Sequence, residues 1–428
     1  MKNITPTVPI NLPSNSGSNM YANYPHNYWC LPIVMSSDYE EVVLRYVLYI
    51  HISAITDGTH FSYEVLKKTT PKTAKLIASG ITEYRDSRIP DFVHKDLVSG
   101  KCERVILDYA MEGFYDIDWK YITTILGIKH EQLIWISSVY NPVFLNSETN
   151  ATVEFDNFWE KFLVDQVRDG QSANIYAGIK QQIKDIKDLK IRSHYGLSYN
   201  RRPHIHRVYL LAKMKRNKLL DQTAWSWRGA PDKSHTNTHF HSAVINGILT
   251  EEDRDSFVSI MQGPLRSFSD EDLNINKADS VNFDHISTTC FQIINETFVV
   301  NNSGDPFLSE KSYKPFVSGQ PFVMWGQQNT VWALREQGYD TFDDWIDHHY
   351  DTIADPTERM AVLVTEIERL YAMTPLEWSQ MLLEMLPSIE KNFDFLLTAR
   401  ERQYILDPST INRDNVRLGI KRNSPPPI

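Results

Sequence analysis

The sequence predicts a mixed α/β protein, with two α/β domains facing each other across a cleft and helices at the C-terminus. Three observations carry this. A strand–helix–strand succession runs through residues 104–141, and a second alternation of β and α patterns runs through residues 191–339. At 428 residues the chain is long enough for two or three domains.

The elements follow in order. Residues 1–25, rich in Pro, Ser and Asn, and the end of the chain at 406–428 read as loosely held termini. VVLRYVLYIHISA (42–54) reads as a helix or as a long buried segment. RVILDYAMEG (104–113) reads as a strand, DWKYITTILGI (118–128) as a helix and QLIWISSVYN (132–141) as a second strand, together the pattern of a βαβ unit. A polar helix over 170–190 bridges to the second domain, so the boundary is expected near 185. The first domain then spans 26–185, the second 186–355, and C-terminal helices 356–405.

In the second domain, HRVYLLAKMKRNKLLD (206–221) places apolar residues near helical spacing. TCFQIINETF (289–298) reads as a strand and turn, KSYKPFVSG (311–319) as a helix, PFVMWG (321–326) as a buried strand and TVWALREQGY (330–339) as a helix. Met360, Leu363, Val364, Ile367 and Leu370 form one apolar stripe behind an Asp355-Pro356 start signal. Thr374, Pro375 and Glu377 supply a capping box for the next helix.

Composition bounds the function. With 44 Lys and Arg against 54 Asp and Glu, the net charge is −10, which argues against coating nucleic acid through bulk charge and leaves room for a local basic cleft. Three widely spaced cysteines, Cys30, Cys102 and Cys290, argue against a disulfide framework and point to a reducing compartment. No apolar run of signal-peptide or membrane-spanning length is present in the sequence, so a cytoplasmic protein without a membrane partner is expected.

Two stretches concentrate chemistry. In residues 296–326, Gly304, Asp305 and Pro306 make a turn. Ser309, Glu310 and Lys311 then stand where a helix starts, with Ser309 as N-cap. Free N–H groups beside a lysine favour phosphate. The second stretch, SYNRRPHIHR (198–207), packs Asn200, Arg201, Arg202 and Arg207 with two histidines just ahead of a helix. Between Lys180 and Lys218 twelve Lys and Arg stand against Asp185 and Asp188, a basic island that reads as an anion site or as a solvated helix face.

Together these stretches resemble the donor-binding half of GT-B glycosyltransferases, the family 10 fucosyltransferases in particular. The resemblance rests on Ser198, Asn200 and Arg207, then Asn295-Glu296, then Ser309-Glu310-Lys311, then PFVMWG, and covers residues 191–345. It implies two Rossmann-like domains, a UDP- or GDP-sugar as co-substrate, no metal and inverting transfer to a hydroxyl. Arg207 and Lys311 would contact the donor diphosphate, Glu310 the ribose or sugar, and Glu296 the transferred sugar. Asn200, Arg201, Arg202, Ser309 and Lys314 would complete the donor site. Ser309 stands where the family has Thr, and NETF where it has F-E-N, which leaves nucleotide and sugar open. The wider pattern, with YNRRPHIHR and TFDDWIDHHYD (341–351), also resembles glycosyltransferase-like proteins of tailed phages and large viruses. Some phage enzymes of this kind glucosylate or arabinosylate 5-hydroxymethylcytosine. The resemblance therefore implies hydroxymethylated double-stranded DNA as an acceptor, in the host cytoplasm, with a protein or glycan acceptor as the alternative.

Inverting transfer needs a carboxylate base. Glu112, at the end of the 104–113 strand, fits that place; Asp108 is the second candidate, and Asp116 and Asp118 form a D-x-D. HTNTHFH (235–241) sets His235 and His239 four apart with His241 beyond, and His204 and His206 form H-x-H, which raises a zinc hydrolase. That motif lacks the glutamate a zincin uses as base, and the segment reads as a loop. His348 and His349, among Asp343, Asp344 and Asp347, read as a surface turn. A sugar- or nucleic-acid-binding protein without turnover is the third class.

Overall fold

In the computed structural model the chain divides into two compact units, residues 1–156 with 402–428, and residues 157–401. The structure describes strand backbones at 47–51, 63–66, 104–109, 405–406 and 418–419. It also describes residues 129–140, 152–168, 173–200, 204–227, 229, 233–264, 281–300 and 305–399.

The first unit holds strands β1 (Val47–His51), β2 (Tyr63–Leu66), β3 (Arg104–Tyr109), β4 (Leu133–Ser137) and β5 (Thr152–Phe155). They form one sheet in the order β2-β1-β3-β4-β5. Only the β1–β2 pair is antiparallel. Within the apolar 42–54 segment residues 47–51 are therefore a strand, and the expected 104–141 unit gives two adjacent parallel strands. The helix expected at 118–128 lies outside the described residues.

The second unit begins with α1 (Phe158–Arg168) and α2 (Ala173–Lys187), then β6 (His194–Ser198), α3 (Ile205–Arg216) and β7 (Thr223–Trp225). Next come α4 (Thr236–Ile245), α5 (Arg254–Gln262), the short α6 (Phe283–Ile286) and β8 (Thr289–Asn295). Then follow α7 (Glu310–Ser318), β9 (Phe322–Trp325), α8 (Thr330–Gln337), α9 (Pro356–Tyr371) and α10 (Pro375–Leu397). The sheet is wholly parallel, in the order β7-β6-β8-β9. Every residue of β8 and β9 is buried, as expected of parallel strands covered on both faces. Cys290 is among them, its thiol pushed up to about 12 by burial.

Four expectations need correction. The division falls at 156–157 instead of near 185, because α2 belongs inside the second unit: Ile175, Ile179 and Ile186 are core residues, and Gln182 Nε2 donates to the Gly319 carbonyl at 3.4 Å. Its polar composition is one solvated face. The helix read over 206–221 ends at Arg216, where Lys218 takes φ 59° and a 3-10 turn, Leu219–Gln222, follows. Within 235–241, read as a loop, residues 236–241 belong to α4, which buries Phe240 and Ala243; core contacts outweigh the poor helix propensity of Thr and Asn. His348, read as part of a surface turn, is buried between the Tyr350 hydroxyl and the Thr341 carbonyl, each at 2.8 Å.

The C-terminal helices are part of the second unit. Asp355 caps α9, with Pro356 in its first turn, and the Thr374–Glu377 capping box opens α10. Trp378 stacks on Phe291 of β8 at 5.1 Å and donates to the Leu370 carbonyl at 2.8 Å. Among the described residues no helix is long and apolar enough to cross a membrane.

Candidate functional site

The connection from β6 through α3 leads to β7 on one side, and that from β8 through α7 leads to β9 on the other. The strand order thus reverses between β6 and β8. In an open parallel sheet ligands bind outside the carboxyl ends of the strands at this point. Here those ends carry Ser198, Asn200, Asn295 and Glu296, all buried.

Side chains tie the two strand exits together. Asn295 Nδ2 donates to Asn200 Oδ1 at 2.9 Å, and Asn200 Nδ2 donates to Ser198 Oγ at 3.1 Å. The Asn200 amide donates to Ser226 Oγ at 3.2 Å, bringing in the end of β7. Asn295 Oδ1 is a buried acceptor without a hydrogen-bond partner among the described residues, which is uncommon in folded proteins.

Two helices start at this edge. α3 has no side-chain cap and no acidic residue in its first turn, which carries His206 and Arg207. His206 Nε2 lies 2.9 Å from the Glu296 carbonyl oxygen; a carbonyl only accepts, so Nε2 bears the proton. Burial and the adjacent Arg207 charge push the imidazole down to about 3, against the opposing pull of that carbonyl, so the ring is neutral near pH 7. Its edge meets Trp325, at the end of β9, with ring centroids 5.9 Å apart.

α7 starts at Ser309, the N-cap, whose Oγ accepts from the Lys311 amide at 3.2 Å. The buried Glu296 carboxylate accepts from Ser309 Oγ, Ser312 Oγ and the Thr297 amide, each at 2.7 Å. Lys311 Nζ reaches Thr297 Oγ1 and Ser309 Oγ at 3.2 Å and Glu310 Oε1 at 2.9 Å. Burial pushes the Glu310 carboxyl up, but the Lys311 and Lys314 charges outweigh it and hold it at about 2. The carboxylate set beside the reversal therefore organises the start of α7, and Lys311 and the half-buried Lys314 bring positive charge to it.

Of the sequence-derived site residues, Asn200, Arg207, Glu296, Ser309, Glu310, Lys311 and Lys314 belong to the two segments that leave β6 and β8. Arg201, Arg202 and Glu112 lie outside the described residues, as do Asp116 and Asp118. Asp108 sits on β3, in register with His51 and Ile136. Sequence reasoning missed the contributions of Thr297, Ser312 and Gln327. It also missed Arg359, whose one signal was a cation in the first turn of a helix.

The basic island divides. Lys184 pairs with Asp188, Lys187 with Glu390 and Lys190 with Asp185. Lys213 pairs with Asp253 at 2.5 Å, and Arg216 with Glu252 and Asp253. Arg192 is buried and donates to the Ile286 carbonyl and Gln182. These cations serve the packing of α2, α3 and their neighbours, while Arg207, also buried, stands on the first turn of α3 at the reversal.

His235 and His239 have ring centroids 6.2 Å apart, and among the described residues no group of three or more His, Cys, Asp or Glu is placed to hold a metal ion. No family model matches this chain, and no curated protein or solved structure does either.

Proposed function

We propose that the second unit binds the diphosphate of a nucleotide sugar and that the protein is a GT-B-type glycosyltransferase transferring that sugar to a hydroxyl. The observation that carries this reading is the pair of helix starts, α3 and α7, tied across the reversal between β6 and β8 by the Asn200–Asn295 and His206–Glu296 bonds. Helix N-termini stabilise anions through their free N–H groups and dipoles. Arg207 and Lys311 add two cations of complementary kinds, a planar fork and a point charge. The buried acceptor Asn295 Oδ1 adds a contact for a donor group, such as a sugar hydroxyl. The resemblance of 191–345 to the family 10 fucosyltransferases supports the same assignment. Hydroxymethylated duplex DNA is the acceptor suggested by the phage resemblance, with Glu112 or Asp108 as base.

The test is Lys311→Ala in the full chain, assayed against a panel of UDP- and GDP-sugars by thermal stabilisation and donor hydrolysis. We expect one donor to stabilise the wild type and the variant to lose on the order of 10²-fold in donor affinity while staying folded. Unchanged affinity removes Lys311 from the site, and a wild type indifferent to every nucleotide sugar removes the function. Transfer to hydroxymethylated DNA that weakens steeply with salt identifies a DNA acceptor.

A further inference from the structure

Arg359 stands in the first turn of α9, near the positive end of the helix dipole, and is 1% exposed. Both placements are unfavourable for a cation. Burial lowers its pKa, and the charges of Asp351 and Asp355 act against that shift. Its hydrogen bonds go to main-chain carbonyls. Nε donates to Gly326 at 3.1 Å, Nη2 to Val299, and Nη1 to Ile353 and, at 3.2 Å, to Ala354. Gly326 is the first residue past β9, and Val299 lies in the connection from β8 to α7. One guanidinium from the C-terminal helices therefore holds both exits from this side of the sheet.

Gln327, next to Gly326, holds the same connection. Gln327 Nε2 donates to the Val300 carbonyl at 3.2 Å, and its Oε1 accepts from the Phe307 amide at 2.7 Å. The connection carries Glu296 and Thr297 at one end and delivers Ser309 and Lys311 at the other, and these four are bonded to each other. A shift at Val299 is thus a shift of the start of α7.

We propose that Arg359 is the positioning residue of the donor site, fixing Lys311 through the β8–α7 connection. This rests on the donor-site reading above. A lysine supplies the charge without the planar fork, so the clamp depends on arginine itself.

Calorimetric titration of the full chain with UDP and GDP tests this, using Arg359→Lys, Arg359→Gln and, as a control, Phe240→Leu, which opens the core between α4 and α5, where Phe240 meets Phe257. We expect Arg359→Gln to weaken the nucleotide that the wild type binds by on the order of 10²-fold, with Arg359→Lys between it and wild type. Phe240→Leu should stay within about twofold although it lowers stability. Hydrogen exchange of amides 297–300 and 307–311 should quicken in Arg359→Lys, the variant that carries the test if Arg359→Gln does not fold. Wild-type affinity in Arg359→Lys with unchanged exchange overturns the proposal, as does a loss no greater than that of Phe240→Leu. If the wild type binds neither nucleotide but Arg359→Lys quickens that exchange, the clamp stands and the donor-site reading falls.

Discussion

The two ends of α3 have similar basic composition and different surroundings. At the C-terminal end Lys213 and Arg216 meet the carboxylates of Glu252 and Asp253. At the N-terminal end His206 is kept neutral and Arg207 is buried beside the reversal of strand order. Charge count does not separate the ends; their position on a parallel sheet does. The carboxyl edge gathers helix starts, which favour anions, and the opposite edge gathers helix ends, which favour cations and bind them internally.

The largest effect that sharpens this contrast is on pH-dependent stability. His206 titrates at about 3 in the fold against an ordinary value of 6.5. A depressed folded value means that the unfolded chain takes up a proton first as pH falls. The stability from neutral burial is complete above 6.5 and is lost progressively down to about 3, by up to about 5 kcal/mol. His206→Gln keeps a donor for the Glu296 carbonyl and should flatten this part of the profile in denaturant titrations between pH 7 and 4. An identical slope would show that the ring is not buried as a neutral group.

Arg207→Gln comes next. It should weaken nucleoside diphosphate binding by on the order of 10²-fold, measured by calorimetry; wild-type affinity would break the comparison, because the two ends of α3 would then be equivalent. Smaller is Lys213→Met, which leaves the fully buried Asp253 carboxylate short of a cation. It should cost about 2 kcal/mol in denaturant unfolding while leaving nucleotide affinity within about twofold. A binding loss comparable to that of Arg207→Gln would return the whole island to anion recognition.

Much of the second unit was legible because its signals are local. Ser309 caps α7, Asp355 caps α9 and the Thr374–Glu377 box opens α10, as their spacing predicts. The buried runs at 289–295 and 322–325, apolar apart from Thr289, Gln292 and Asn295, are strands covered on both faces. Other features were illegible because they depend on which faces the packing buries. His348 looks like a surface residue among aspartates, yet its two bonds come from Thr341 and Tyr350 after the chain has turned inward. The polar look of α2 hid a buried edge of Ile175, Ile179 and Ile186.

By itself the sequence determined an α/β chain with a lysine at a helix start and a basic segment ahead of another helix. Periodicity, capping and composition act within a few residues, so they are written locally. The tertiary structure alone decided which cations are spent on neighbouring carboxylates. It also placed Asn200 against Asn295, and it brought Arg359 to the carbonyls of Val299 and Gly326. Those outcomes depend on strand order, which no local pattern encodes.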